Sequence, residues 1–156
     1  MAGRTLAQWE PLRQRFLVEE IVPRIPDAGR QQVRHHQAAG HLLVMTTATN
    51  RVLTELTAAH LGFEHLIATE CEIASDGTCT GRIAGEPNMR EGKLVRLHAW
   101  LDARGLKLQA LDSVAYSDSI NDAPLLSAAR RAVAVDPDPR LAALAAERGW
   151  QVLRWR

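Results

Sequence analysis

The sequence predicts an α/β protein with a parallel sheet covered by helices on both sides. Three observations predict it: apolar runs of strand length, amphipathic stretches of helix length between them, and glycine or proline at most junctions. With 156 residues, the chain is long enough to bury the core of one domain. Its 46% hydrophobic and 24% charged residues are ordinary for a globular protein.

Each element follows from local signals. Thr5 is placed to cap a first helix, with Gln8 in the capping-box position three residues on. That helix should run toward Val22, with Pro11 kinking it or delaying its start, and end at Pro23 and Pro26. Asp27 is expected to cap a second helix through Ala39, stopped by Gly40. His41 to Thr47 holds a short apolar run, the pattern of a strand buried on both faces. A helix from Asn50 to Leu61 closes at Gly62, and His65 to Thr69 is a second buried strand. Ser75-Asp76-Gly77 is a turn signal between two strand-like stretches, which predicts a β-hairpin. Arg90 to Arg104 places Leu94, Leu97, Trp100 and Leu101 on one helical face and stops at Gly105. Then come a strand from Leu111 to Tyr116, a helix to about Ala129, a strand Ala132–Val135, a helix Pro139–Arg148 and a last strand near Gln151–Leu153.

Composition excludes several function classes. The net charge is +1 and the basic residues are scattered, which speaks against a nucleic-acid partner. No run approaches the roughly 18 apolar residues of a membrane span. The opening residues show no secretory hydrophobic core. Cys71 and Cys79 are too few for a disulfide framework, and no histidine pair lies near enough to make them a zinc site. Reduced thiols in a cytoplasmic protein are expected. His35, His36, His60, His65 and His98 have no ligand spacing and read as helix-face or loop residues.

Three places combine a strand end or helix start with chemically useful side chains. Thr47, followed by Ala48, ends the first expected strand, where a hydroxyl and backbone N–H groups can bind phosphoryl oxygens. Its bland reading is a capping threonine. Lys93 lies in the first turn of its helix, where a cation opposes the helix dipole unless an anion accompanies it. A solvated surface lysine is the alternative. Asp118 and Asp122 lie four residues apart after the strand ending at Tyr116, so both carboxylates can face one hard cation. An N-cap plus an acidic first turn would look the same. Asn121 could orient a ligand or bond backbone within the loop.

The stretch Ser117-Asp118-Ser119-Ile120-Asn121-Asp122-Ala123-Pro124-Leu125-Leu126 resembles the fourth motif of the haloacid dehalogenase superfamily, in its phosphoserine-phosphatase-like branch, with Ser117 where that branch usually has glycine. The order of Thr47-Ala48-Thr49, Glu91-Gly92-Lys93 and this acidic cluster is similar to motifs two, three and four. The resemblance runs from about Ile25 to the C-terminus. It implies a three-layer α/β/α Rossmann-like core and a Mg²⁺-dependent phosphatase of small phosphorylated metabolites. It also implies roles: Asp118 and Asp122 on Mg²⁺, Thr47 and Ala48 on the transferring phosphoryl group, Lys93 neutralising that group, and Asn121 near the phosphoryl group or substrate.

That family attacks with the first aspartate of an aspartate-x-aspartate-x-threonine motif on its first strand. The only aspartate-x-aspartate in this chain is Asp136-Pro137-Asp138, followed by Pro139 and Arg140. It reads as a turn and N-cap before the helix Pro139–Arg148. The chain is therefore expected to lack the family's first strand and most of its helical cap, with residues 1–24 a cap remnant and 25–156 an incomplete core. Two strands that would flank the first one should then expose backbone groups. This chain alone is expected to have little or no turnover. A non-catalytic pseudo-phosphatase that keeps the Mg²⁺ and phosphate pocket is the alternative.

Overall fold

The computed structural model describes residues 2–156, and Met1, the first residue of the expected cap remnant, lies outside them. The described residues form two compact units, one ending at Asn88 and the other spanning Met89–Arg156. The expected division after residue 24 falls inside the first unit.

In the first unit, helix α1 (Leu6–Phe16) opens with the expected reciprocal capping box between Thr5 and Gln8. It starts at Leu6 and runs through Pro11, so the proline does not delay it. A π-helical turn, Leu17–Ile21, and a 3₁₀ turn, Val22–Arg24, follow. Helix α2 (Asp27–Ala38) begins one residue earlier than expected: the expected cap, Asp27, is its first residue and Pro26 occupies the cap position. Strand β1 is Val44–Asn50 rather than His41–Thr47. The residues before it are still ending α2. Gly40 takes φ +69°, the His41 N–H donates to the His36 carbonyl, and the two rings meet with Nδ1 atoms 2.8 Å apart. Helix α3 (Arg51–Leu61) is capped by the Asn50 side chain and closed by Gly62 at φ +75°.

Strand β2 (His65–Ile73) is longer than expected because it serves two partners in turn. Its first half pairs parallel with β1 and its second half antiparallel with β3 (Cys79–Ala84), which completes the predicted hairpin. Val52, Ala58, Ile67, Ala68 and Cys79 are buried in this unit.

In the second unit, helix α4 (Glu91–Asp102) is followed by a 3₁₀ turn, Leu108–Ala110. The Leu111 N–H closes that turn on Leu108, so strand β4 begins later than predicted, at Val114, and runs to Ser117. Helix α5 is Ala123–Ala128, strand β5 Arg131–Val135, helix α6 Pro139–Arg148 and strand β6 Gln151–Leu153. β4, β5 and β6 form a parallel sheet in that order. Its core is Leu126, Ala134, Leu141 and Ala145, with Ile120 and Trp150 packed against them. Trp155 lies beside Tyr116 of β4, with ring centroids 6.2 Å apart.

The α/β class and the parallel pairing are as predicted. Among the described residues β1 and β3 are the edges of one sheet, and β4 and β6 those of the other. Among the described residues, no helix is long and apolar enough to cross a membrane.

Candidate active site

Parallel strands deliver their following loops to one edge of the sheet. In the second unit this places the loop after β4, which carries Asp118 and Asp122, beside the loop after β5, which carries Asp138. The acidic loop is not the helix start the sequence suggested. Asp118 and Ser119 are irregular, Ile120–Asp122 is a 3₁₀ turn, and Asp122 sits at the cap of α5.

Lys93 is buried and reaches this loop, so the solvated-lysine reading is wrong. Its Nζ lies 2.7 Å from Asp122 Oδ2, and the Ser117 hydroxyl donates to the same oxygen at 2.7 Å. A buried cation needs such a partner, and this one explains a lysine at an unfavourable helix position. Among the described residues Asp122 Oδ1 has no partner, and it is not sealed from solvent. Asp118 is exposed, and its carboxylate makes no hydrogen bond or ion pair among the described residues. Its backbone is held instead: the Asp118 carbonyl accepts the Asp138 N–H at 2.8 Å.

The donors offered here are carboxylate oxygens without histidine or cysteine, which suits a hard cation such as Mg²⁺. Among the described residues no cluster of three or more His, Cys, Asp or Glu is placed to hold a metal. By donor chemistry alone, Asp118 and Asp122 supply two oxygen donors, short of a full shell made by the protein. Asn121 is exposed on the 3₁₀ turn, and its N–H donates to the Ser119 hydroxyl.

Arg90, at the cap of α4, adopts φ 50° and ψ −128°, a conformation that costs a non-glycine residue about 1–3 kcal/mol. It immediately precedes the turn that carries Lys93. Asp138 accepts backbone N–H groups from Ile120, Arg140 and Leu141, and these bonds, Ile120's first, hold its carboxyl below the ordinary aspartate range.

Thr47 and Ala48 belong to the first unit. The β1–β2 register slips between Thr46 and Asn50, so residues 47–49 leave the ladder at its carboxyl end. The Thr47 hydroxyl accepts the Thr49 N–H at 3.2 Å, which leaves its own proton available to a ligand. What holds this segment was not legible in the sequence. The Asn88 amide, fully buried, donates toward Thr46 Oγ1 and the carbonyls of Thr47 and Ile67, while the Thr69 hydroxyl donates to the Ala48 carbonyl.

Comparison with known proteins identifies the family and the fold. The family model for haloacid dehalogenase-like hydrolases matches residues 1–127. A histidinol-phosphatase from Neisseria meningitidis serogroup C is 39% identical over 90% of this chain and 64% of its own length. Phosphoserine phosphatase SerB1 of Mycobacterium tuberculosis is 37% identical over 99% of this chain and 49% of its own length. The chain thus spans about half to two thirds of these relatives. A solved structure of a protein with unknown function from Bordetella pertussis matches with a TM-score of 0.92 and 42% identity, over 97% of this chain and 68% of that one. A probable phosphoserine phosphatase from Vibrio cholerae has the same fold, with a TM-score of 0.71 at 20% identity, over 97% of this chain and 43% of that one.

Proposed function

Because the chain belongs to the haloacid dehalogenase-like hydrolase family, we propose that it carries the metal- and phosphate-handling part of a Mg²⁺-dependent phosphomonoesterase acting on small phosphorylated metabolites. The observation that carries this reading is the buried Lys93–Asp122 pair with the Ser117 hydroxyl, on the loop that exposes Asp118. Phosphoryl transfer needs charge neutralisation and positioning above all, and these residues offer both. Asp118 and Asp122 would hold Mg²⁺, which when bound neutralises charge on the phosphoryl oxygens. Lys93 contributes a fixed positive charge, and Asp122 and Ser117 keep its side chain in place. Thr47 donates its hydroxyl proton to a phosphoryl oxygen, the Ala48 N–H binds another, and Asn121 faces the substrate. Phosphoserine and histidinol phosphate are candidate substrates, since relatives at 37% and 39% identity are a phosphoserine phosphatase and a histidinol-phosphatase.

The 156 residues contain no aspartate-x-aspartate-x-threonine. The nucleophile is proposed to be an aspartate outside them, forming an aspartyl-phosphate that water hydrolyses. The missing motif also favours a second reading, a pseudo-phosphatase that binds Mg²⁺ and phosphate without turnover. The test is p-nitrophenyl phosphate hydrolysis with Mg²⁺ by this chain and by a form extended at its N-terminus through the upstream reading frame. The expected result is a rate from the extended form, abolished by Asp118→Asn, and little from the short chain. Equal, substantial rates from the short chain overturn the placement of the nucleophile, and inactivity of both favours the pseudo-phosphatase.

A further inference from the structure

We propose that Asp138 is a positioning residue for the metal-binding loop: a single carboxylate caps α6 with one oxygen and clamps residues 118–120 with the other. This inference rests on the metal role given above to Asp118 and Asp122.

An N-cap needs only one acceptor, and Asp138 Oδ1 fills that role by taking the Arg140 and Leu141 N–H groups at 2.9 and 2.8 Å. Oδ2 is left over, and it accepts the Ile120 N–H at 2.7 Å. The Asp138 N–H returns a bond to the Asp118 carbonyl at 2.8 Å. The two links bracket Asp118 and Ser119, the irregular residues between β4 and the 3₁₀ turn. The Ser119, Asn121 and Asp122 N–H groups bond within residues 117–122, so the loop's other tie to the unit is the Lys93 ammonium on the Asp122 side chain.

The clamp is itself rigid. Asp138 lies between Pro137 and Pro139, and a residue before proline is pushed to extended backbone, matching its ψ of 160°. Pro139 has no N–H to compete for the carboxylate. Leu141, one turn into α6, is buried in the core cluster, and Ile120 packs on the same cluster. The loop that carries an exposed, unpartnered Asp118 is thus tied to the best-packed part of its unit. Partners that orient metal ligands in this way are worth about 10–100-fold in metal affinity.

The two functions of Asp138 can be separated by substitution. Asp138→Ser keeps a capping hydroxyl but has no second oxygen for Ile120. Asp138→Asn keeps the shape but has one acceptor where two are used. Mn²⁺ binding to the chain is read from loss of the free-ion signal in electron paramagnetic resonance, alongside unfolding midpoints and hydrogen exchange of residues 117–123. The expected result is that Asp138→Ser binds Mn²⁺ about 10–100-fold more weakly and exchanges faster at Ile120, with an unfolding midpoint close to wild type; Asp138→Asn weakens binding likewise. If wild type binds, Asp118→Asn does not, and both Asp138 variants bind like wild type, the clamp is refuted while the metal reading stands. If wild type fails to bind, or Asp118→Asn binds equally well, the metal reading fails and takes the clamp with it.

Discussion

Two carboxylate oxygens in this molecule are each shared by a hydroxyl and a cation. In the second unit, Asp122 Oδ2 takes the Ser117 hydroxyl and the Lys93 ammonium, both at 2.7 Å. In the hairpin of the first unit, Glu72 Oε2 takes the Thr80 hydroxyl at 2.6 Å and Arg82 Nε at 2.9 Å. The distances are alike and the surroundings are opposite. The Lys93 and Asp122 side chains are 9% and 11% exposed, whereas Arg82 and Glu72 are 77% and 37% exposed. Water screens the hairpin pair and leaves it little net worth. The buried pair has lost its hydration and depends on its partners. Distance alone therefore does not rank these interactions; burial does, and the buried set is the one placed at the carboxyl end of a parallel strand.

The largest effect expected from this contrast is that of Asp122→Ala. It strands the Lys93 ammonium in a dry site, and breaking a buried pair costs about 3–5 kcal/mol. Chemical denaturation at neutral pH measures it. Replacing both residues, Lys93→Met with Asp122→Leu, should recover most of the loss, because no unpaired charge remains. A cost below about 1 kcal/mol for the single change is the range of solvated surface pairs, and it would erase the contrast.

The hydroxyls should rank the same way at smaller scale. Ser117→Ala removes a donor to a buried carboxylate, a bond worth about 1.5–3 kcal/mol. Thr80→Val removes the matching bond from the hairpin and should leave the global unfolding midpoint unchanged. Equal losses for the two would mean that burial is not what separates them.

Much of this was legible in the sequence because it depends on local signals. The Thr5–Gln8 box, the stop at Gly62, and the Pro139–Arg148 helix are each written in a few adjacent residues. The strands were displaced where a neighbouring turn claimed their first residues, as at His41 and Leu111. Of the site, Asp118, Asp122 and Lys93 were visible as unusual charges at element ends. What joins them was not. Ser117 could be seen only as a departure from glycine, and its bond to Asp122 requires the fold of the turn. Asn88 looks like any loop residue, yet its side chain is fully buried and spans to Thr46 and Ile67, 42 and 21 residues away in sequence. Asp138 reads correctly as a helix cap, and its second oxygen shows its use only when β4 and β5 lie side by side.

The smallest effect, and the sharpest control, is the pH response of the hairpin. The Thr80 hydroxyl first, and then Arg82, hold the Glu72 carboxyl below its ordinary range. A carboxyl lowered in the folded state stabilises above its unfolded pKa, and that contribution disappears as pH falls through the lowered folded value. Hydrogen exchange between Ile73 and Cys79 should therefore be constant near neutrality. Below the ordinary glutamate pKa, about 4.3, hairpin opening should rise above the intrinsic pH trend. Glu72→Gln should remove that extra opening without moving the global midpoint, since the group is at the surface. If the global midpoint instead falls with the hairpin, the exposed cluster is coupled to its unit as tightly as the buried one, and burial would no longer account for the difference between them.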